Sequence, residues 1–204
     1  IAGLTFSPST FTCADVGANT VTLTVNDVNG NSSTCTATVT VVDNLEPVAV
    51  CQDLTVYLDG SGSASINSAD LDGGSTDNCS IASFVASDTT YDCSETGANT
   101  ITLTVTDVNG NSSTCTSTVM VLDTITPSIT CPADISVSAI TDNCFNTVSW
   151  TAPTGSDNCS FNVTSTHNPG DLFPVGVTQV TYYIEDASGN EDSCSFNVTV
   201  TDDQ

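Results

Sequence analysis

The sequence predicts an all-β protein made of tandem repeats, on three observations. A segment recurs 80 residues apart: Cys13–Asp43 and Cys93–Asp123 agree at 23 of 31 positions. Apolar residues alternate with Thr at period two, as in Val21, Leu23, Val25 and again in Ile101, Leu103, Val105. Turn sequences such as Asp27-Val-Asn-Gly-Asn31 separate the alternating segments. A fixed period of this length marks an array in which each repeat is one folding unit.

The period runs through the chain. Cys13, Cys35 and Cys51 recur as Cys93, Cys115 and Cys131, and Asp77-Asn78-Cys79-Ser80 recurs as Asp157-Asn158-Cys159-Ser160. The expected boundaries are 1–44 for the C-terminal part of a truncated repeat, 45–124 for a complete one and 125–204 for another. Ile1 aligns with Ile81, so the window is expected to open inside a repeat.

Period-two alternation with β-branched residues argues half-buried strands. Asp27–Asn31, Asp107–Asn111 and Asp186–Asn190 read as hairpin turns that need positive φ at Asn or Gly. In the third repeat the extended segments fall near 133–139, 145–151, 153–158, 160–167, 171–175, 178–186 and 193–201. Seven short strands in one repeat predict an immunoglobulin-like (fibronectin-III-like) β-sandwich, here in an elongated array. Trp150 falls on the second strand and is expected in the core.

The cysteines are read through that sandwich. Its first and last strands run parallel, which predicts Cys51–Cys115 and Cys131–Cys194. Cys159 follows the third strand, and Cys144 is expected at the same end, giving Cys144–Cys159. The second repeat lacks that cysteine, so Cys79–Cys93 is expected there. Cys13 and Cys35 are left unpaired. Stable disulfides imply an oxidising, extracellular setting. No apolar run approaches the length of a membrane span, and no signal peptide is visible.

The chain has 24 acidic residues and no Lys or Arg. Nucleic acid is disfavoured as a partner because phosphate contacts depend on Lys and Arg. Anionic membranes are disfavoured likewise. The self-repulsion calls for cations. The predicted fold is expected to bring the turn residues Asp107, Asn109 and Asn111 toward the linker residues Asp43 and Glu46. Asp186 and Asn190 are expected to approach Asp123 in the same way. Asp70 and Asp72, in a DxDGG element, face that end of the second repeat. Carboxylates and amides without His or thiolate suit structural Ca²⁺. The competing reading is that these residues cap turns.

Catalytic signatures are missing. His167 precedes Asn168-Pro169-Gly170 and reads as a loop residue, and no serine lies in a G-x-S-x-G context. The carboxylates fall in turns, which argues against a glycosidase pair. Zinc is disfavoured because no CxxC occurs.

The third repeat contains Cys131-Pro-Ala-Asp-Ile, Val148-Ser-Trp-Thr-Ala-Pro, Asn168-Pro-Gly-Asp-Leu-Phe-Pro-Val-Gly and Asp186-Ala-Ser-Gly-Asn. In these words it resembles the hyalin repeat family. The first two repeats lack the Trp and the NPGDLFPVG word, and are similar to repeats of giant surface adhesins of gliding Bacteroidota. The resemblance implies an immunoglobulin-like fold, an extracellular location and adhesion, and supplies no catalytic residue. The Bacteroidota resemblance also implies O-glycans at Asp-Ser/Thr motifs, matched by Thr89 and Thr124. The leading expectation is a non-catalytic spacer of an adhesin filament whose partners are neighbouring repeats. The alternatives are a module that binds extracellular glycans or proteins and, behind it, an accessory domain of a secreted enzyme.

Overall fold

The computed structural model describes residues 1–142 and 144–202, and it is almost entirely β. The described residues hold no α-helix, only three short 3₁₀ turns at Cys13–Asp15, Ser68–Leu71 and Cys93–Glu95. Cα proximity divides the chain into two compact units. The first comprises Ile1–Gln52, Ser68–Asp88 and Ile101–Ser117; the second comprises Asp53–Asn67, Thr89–Thr100 and Thr118–Gln204.

The first unit opens with β1 (Gly3–Ser7), β2 (Gly17–Asn26) and β3 (Ser32–Val41), an antiparallel sheet in that order. Its hairpin turns on Asp27–Asn31. The Asp27 Oδ1 accepts the backbone N–H groups of Asn29 and Asn31, each at 2.8 Å, and the Asn31 amide donates to Oδ2 at 2.8 Å. Gly30 takes φ of 90°, which a side chain would resist. Positive φ therefore falls on the Gly and not on the preceding Asn.

The chain continues through β4 (Leu54–Tyr57), β5 (Ser63–Ser65), β6 (Ile81–Ala86), β7 (Thr90–Asp92), β8 (Gly97–Asp107) and β9 (Ser112–Leu122). Four of these form a sheet in the order β4-β9-β8-β6, while β5 pairs with β7. Within the first unit β6 pairs antiparallel with the end of β8, from Ile81↔Asp107 to Ala86↔Leu103. Ile101, Leu103 and Val105 alternate inward with Asp107, and Leu71 of the 3₁₀ turn is fully buried. Within the second unit β4 runs parallel to β9, Leu54 opposite Val119.

The rest of the second unit is β10 (Ser128–Ile129), β11 (Ile135–Ser138), β12 (Phe145–Thr147), β13 (Gly155–Ser156), β14 (Phe161–Ser165), β15 (Leu172–Pro174), β16 (Gly176–Asp186) and β17 (Glu191–Thr201). A four-stranded sheet, β11-β17-β16-β14, has β11 parallel to β17. Its inward residues Val180, Tyr182, Ile184, Phe196, Val198 and Val200 pack with Ile129, Val148 and Phe173. This is the two-layer immunoglobulin-like sandwich, with strands close to the expected segments. Trp150 lies after β12 rather than on it. It packs edge-on against Phe173 and Phe196, and its indole N–H donates to Tyr182 Oη at 2.8 Å. Burial of such rings supplies most of a small core.

The disulfides are Cys13–Cys79, Cys51–Cys115, Cys93–Cys159 and Cys131–Cys194. The pairs Cys51–Cys115 and Cys131–Cys194 follow from the parallel first and last strands. Three expectations are corrected. Cys79 does not bond Cys93, Cys144 does not bond Cys159, and Cys13 is not unpaired. The reason lies in which end of a sandwich each cysteine reaches. Cys159 sits in the turn after β13, beside the entry linker, because β13 pairs with β10. Cys144 instead stands across the β12–β15 ladder, where Val175 donates its N–H to the Cys144 carbonyl at 2.9 Å. The β5–β7 register, Ser63↔Asp92, gives Cys93 the place that Val175 occupies in the β12–β15 ladder. Cys144 thus lies at the end of its sandwich away from Cys159, while Cys93, at the matching position one repeat earlier, meets the Asp157-Asn158-Cys159 turn. Cys35 and Cys144 are free and exposed.

Candidate functional site

Two clusters of three aspartates recur at the repeat period, with members 79 or 80 residues apart in sequence. In the first unit one carboxylate oxygen each from Asp43, Asp77 and Asp107 lie within 4.8 Å of one another; in the second unit Asp123, Asp157 and Asp186 do the same. Each cluster takes one acid from a linker, one from an Asp-Asn-Cys turn and one from a hairpin turn.

The hairpin acid is held by its own turn. Asp186 Oδ1 accepts the N–H groups of Ser188 and Asn190 at 2.8 Å each, and Oδ2 accepts the Asn190 amide at 2.7 Å. Asp107 is bound identically by Asn109 and Asn111, with the Asn111 amide at 2.6 Å. Burial, the largest single influence, raises each carboxyl pKa. The Asn side-chain bond and the turn N–H groups together outweigh it, so both lie below the ordinary carboxylate value. These acids are therefore charged although nearly inaccessible, at 2% exposure for Asp107 and 6% for Asp186.

The linker acid is braced from across the fold. The Asn109 amide donates to Asp43 Oδ2 at 2.8 Å, and the Asn111 amide to the Asp43 carbonyl at 3.3 Å. In the second unit the Asn190 amide donates to the Asp123 carbonyl at 3.2 Å. Asp123 Oδ1 accepts the Ile125 N–H at 3.1 Å and the Asn158 amide at 3.2 Å. In this geometry Asn109, Asn111 and Asn190 orient carboxylates through their amide N–H groups.

The third acid caps the turn that carries the cysteine. Asp157 Oδ2 accepts the Cys159 N–H at 3.1 Å, and Asp77 Oδ2 accepts the Cys79 N–H at 2.8 Å. Asp77 and Asp157 were absent from the sequence-based set of ligands. The sequence carries their signal, since Asp-Asn-Cys-Ser recurs at the repeat period, but the cysteine in it dominates the pattern. Glu46, Asp70 and Asp72 belong to neither cluster. Glu46 and Asp70 are exposed, and Asp72 Oδ1 accepts the Ser75 N–H at 2.9 Å in a local turn. Thr124 is exposed and Thr89 half-buried.

The disulfides Cys13–Cys79 and Cys93–Cys159 anchor these same turns. Cys13 and Cys93 each open a 3₁₀ turn closed by a capping box, Thr12 with Asp15 and Asp92 with Glu95. Gly62 gives Cys93 room. A Cβ there would stand 2.7 Å from Cys93 Sγ and 2.7 Å from the Asn158 carbonyl oxygen.

Comparison with known proteins places these features. Residues 122–200 match the HYR domain. The chain is 34% identical over 189 residues to hyalin of Strongylocentrotus purpuratus, covering 86% of this chain and 15% of that protein. It is 33% identical over 182 residues to hyalin of Lytechinus variegatus, covering 86% of this chain and 34% of that protein. The chain thus spans about a third or less of the relatives it matches. Among solved structures, protocadherin gamma C5 EC1-3 aligns over 92% of this chain and 79% of its own, at 13% identity and a TM-score of 0.43, too low to carry an argument. The part of the chain that holds the Asp123, Asp157 and Asp186 cluster is therefore a HYR-domain match, within a chain similar to sea-urchin hyalin over most of its length.

Proposed function

We propose that this chain is an extracellular, non-catalytic adhesion-type spacer whose successive repeats are covalently laced together. The observation that carries the reading is the disulfide pattern. Cys51–Cys115 and Cys131–Cys194 close a repeat on itself, while Cys13–Cys79 and Cys93–Cys159 tie each repeat to the next by the expected boundaries. Such lacing suits transmission of force and an oxidising environment. The similarity to hyalin supports a surface or matrix setting, with neighbouring repeats as the first partners. The resemblance of the first two repeats to gliding Bacteroidota adhesins remains a reading of the sequence, and a filament rests on it.

The test is stretching of single molecules held at their ends. With all four bonds intact the shortest covalent path runs Ile1–Cys13, Cys79–Cys93, Cys159–Cys131 and Cys194 to the C-terminus. The oxidised protein should extend to about a third of the length of the reduced one, at up to about 3.6 Å per residue. Equal extension before and after reduction would remove the spacer reading.

A second reading, glycan binding, is favoured by one surface depression of about 450 Å³ lined by Asn162, Thr164, Tyr183, Glu185, Glu191 and Asp192. Tyr183 is half-exposed beside these acids and offers a stacking face to a sugar. A glycan array decides: specific binding lost in Tyr183→Ala favours the module.

A further inference from the structure

We infer that the two aspartate clusters are Ca²⁺ sites and that their defining ligand is the aspartate of the Asp-Asn-Cys turn, Asp77 in one and Asp157 in the other. The inference does not depend on the spacer reading.

Three carboxylates within 4.8 Å carry three like charges, and the chain has no Lys or Arg to offset them. Carboxylates this close repel one another unless a cation lies between them.

A second observation points to a ligand. Asp123 is 6% exposed, and its Oδ2 is buried with no hydrogen-bond partner. Asp157 Oδ1 and Asn158 Oδ1, in the facing turn, are also buried without partners, as is Asp77 Oδ1 in the first unit. A buried oxygen left without a partner keeps the whole cost of its desolvation, and more so when charged. Four such oxygens among the described residues lie on these two turns and the Asp123 linker. All three in the second unit are acceptors: two carboxylate oxygens and the amide oxygen of Asn158, whose N–H donates to Asp123 Oδ1. Among the described residues no donor answers them, and a cation held by the Asp123, Asp157 and Asp186 carboxylates would relieve the buried acids.

The donor set selects the ion. The oxygens are carboxylate and amide, and the nearby Cys79 and Cys159 are consumed in disulfides. Hard oxygen donors favour Ca²⁺ or Mg²⁺ over zinc or copper. Mg²⁺ demands near-ideal octahedral geometry, whereas Ca²⁺ accepts irregular sets of six to eight oxygens with water filling the remainder. A cluster assembled from a linker and two turns fits the latter. The Asp123 site is the more enclosed, since Asp43 and Asp77 of the other are only half-buried. It should fill first.

The experiment is Ca²⁺ titration of the chelator-treated protein by calorimetry, with thermal melts in parallel. Two ions should bind, with dissociation constants at or below about 1 mM, the range of extracellular calcium modules. At tenfold saturation the melting temperature should rise by about 3 °C per site. Asp157→Asn should remove the tighter site, Asp77→Asn the weaker, and Asp70→Asn neither. Absence of binding in the wild-type protein overturns the assignment, as does two-site binding in the Asp77→Asn, Asp157→Asn double variant or equal binding of Mg²⁺. If a variant fails to fold, amide resonances of the wild-type protein decide. Ca²⁺ should move those of Cys79, Asn111, Cys159 and Asn190; shifts confined to the neighbourhood of Asp70 and Asp72 would overturn the assignment.

Discussion

Asp157 and Cys159 share one turn, with the Asp157 Oδ2 accepting the Cys159 N–H at 3.1 Å while the Cys159 sulfur is bonded to Cys93, 66 residues earlier. The same pairing of a capping acid and a bonded sulfur occurs at Asp77 and Cys79, whose sulfur is bonded to Cys13. Peptide mapping without reduction should therefore recover Cys13–Cys79 and Cys93–Cys159 as linked peptides. Alkylation of the native protein should label Cys35 and Cys144, the exposed free thiols. Recovery of a Cys79–Cys93 or Cys144–Cys159 peptide would contradict this connectivity.

Loss of the Cys93–Cys159 bond should be costly. Its loop spans 66 residues, and the chain-entropy model assigns about 4 kcal/mol to closing a loop of that length. Cys93→Ala with Cys159→Ala should lower the unfolding free energy by that order, read from denaturant melts. A change below about 1 kcal/mol would show that the unfolded chain is already constrained by the overlapping bonds.

The strands were legible because the alternation of Val, Ile and Thr in β8 and β16 maps directly onto burial: Val105 and Ile184 face inward, and their Thr and Glu neighbours do not. The parallel pairing of β11 with β17 was legible too, and Cys131–Cys194 followed from it. The lacing bonds were not. A repeat read in isolation invites its cysteines to pair within it, and period alone does not say which end of a sandwich a turn reaches. The Asp-Asn-Cys turn is placed by the short β10–β13 ladder, two residue pairs long, which leaves almost no alternation to read. Asp77 and Asp157 were missed for the same reason, since their partners arrive from a linker and a hairpin distant in sequence. Glu46, Asp70 and Asp72 were over-read because acidity in a turn does not reveal which acids converge.

Gly62 should tolerate no side chain. It has φ of 73°, and its missing Cβ is the space that Cys93 Sγ and the Asn158 carbonyl occupy. Gly62→Ala adds left-handed strain of about 1 kcal/mol and a clash with backbone that cannot rotate away. The expected loss is about 2–3 kcal/mol in thermal or denaturant melts. Gly60→Ala, whose Cβ meets nothing within 4 Å, is the control. Equal stability of the two variants would show that the bonded turn yields easily.

Acid should loosen the hairpin turns before it touches the core. Asp107 and Asp186 have folded-state pKa values below the ordinary carboxylate value: burial raises them, and the Asn111 or Asn190 side chain with the turn N–H groups lowers them by more. A depressed folded pKa means that the native state holds fewer protons than the unfolded one in that window. Its contribution is complete above the unfolded pKa, about 4, and is lost as pH falls through the lower folded value. Melting temperature measured in chelator should thus be flat from neutral pH to about 5 and fall below about 4. Asp107→Asn and Asp186→Asn remove a titrating acid from the turn, so the double variant should start lower near neutrality and fall less steeply in acid. Parallel curves for wild type and double variant would mean that other capped acids, such as Asp59 and Asp92, whose pKa values are also lowered by their Ser partners, govern the acid transition instead.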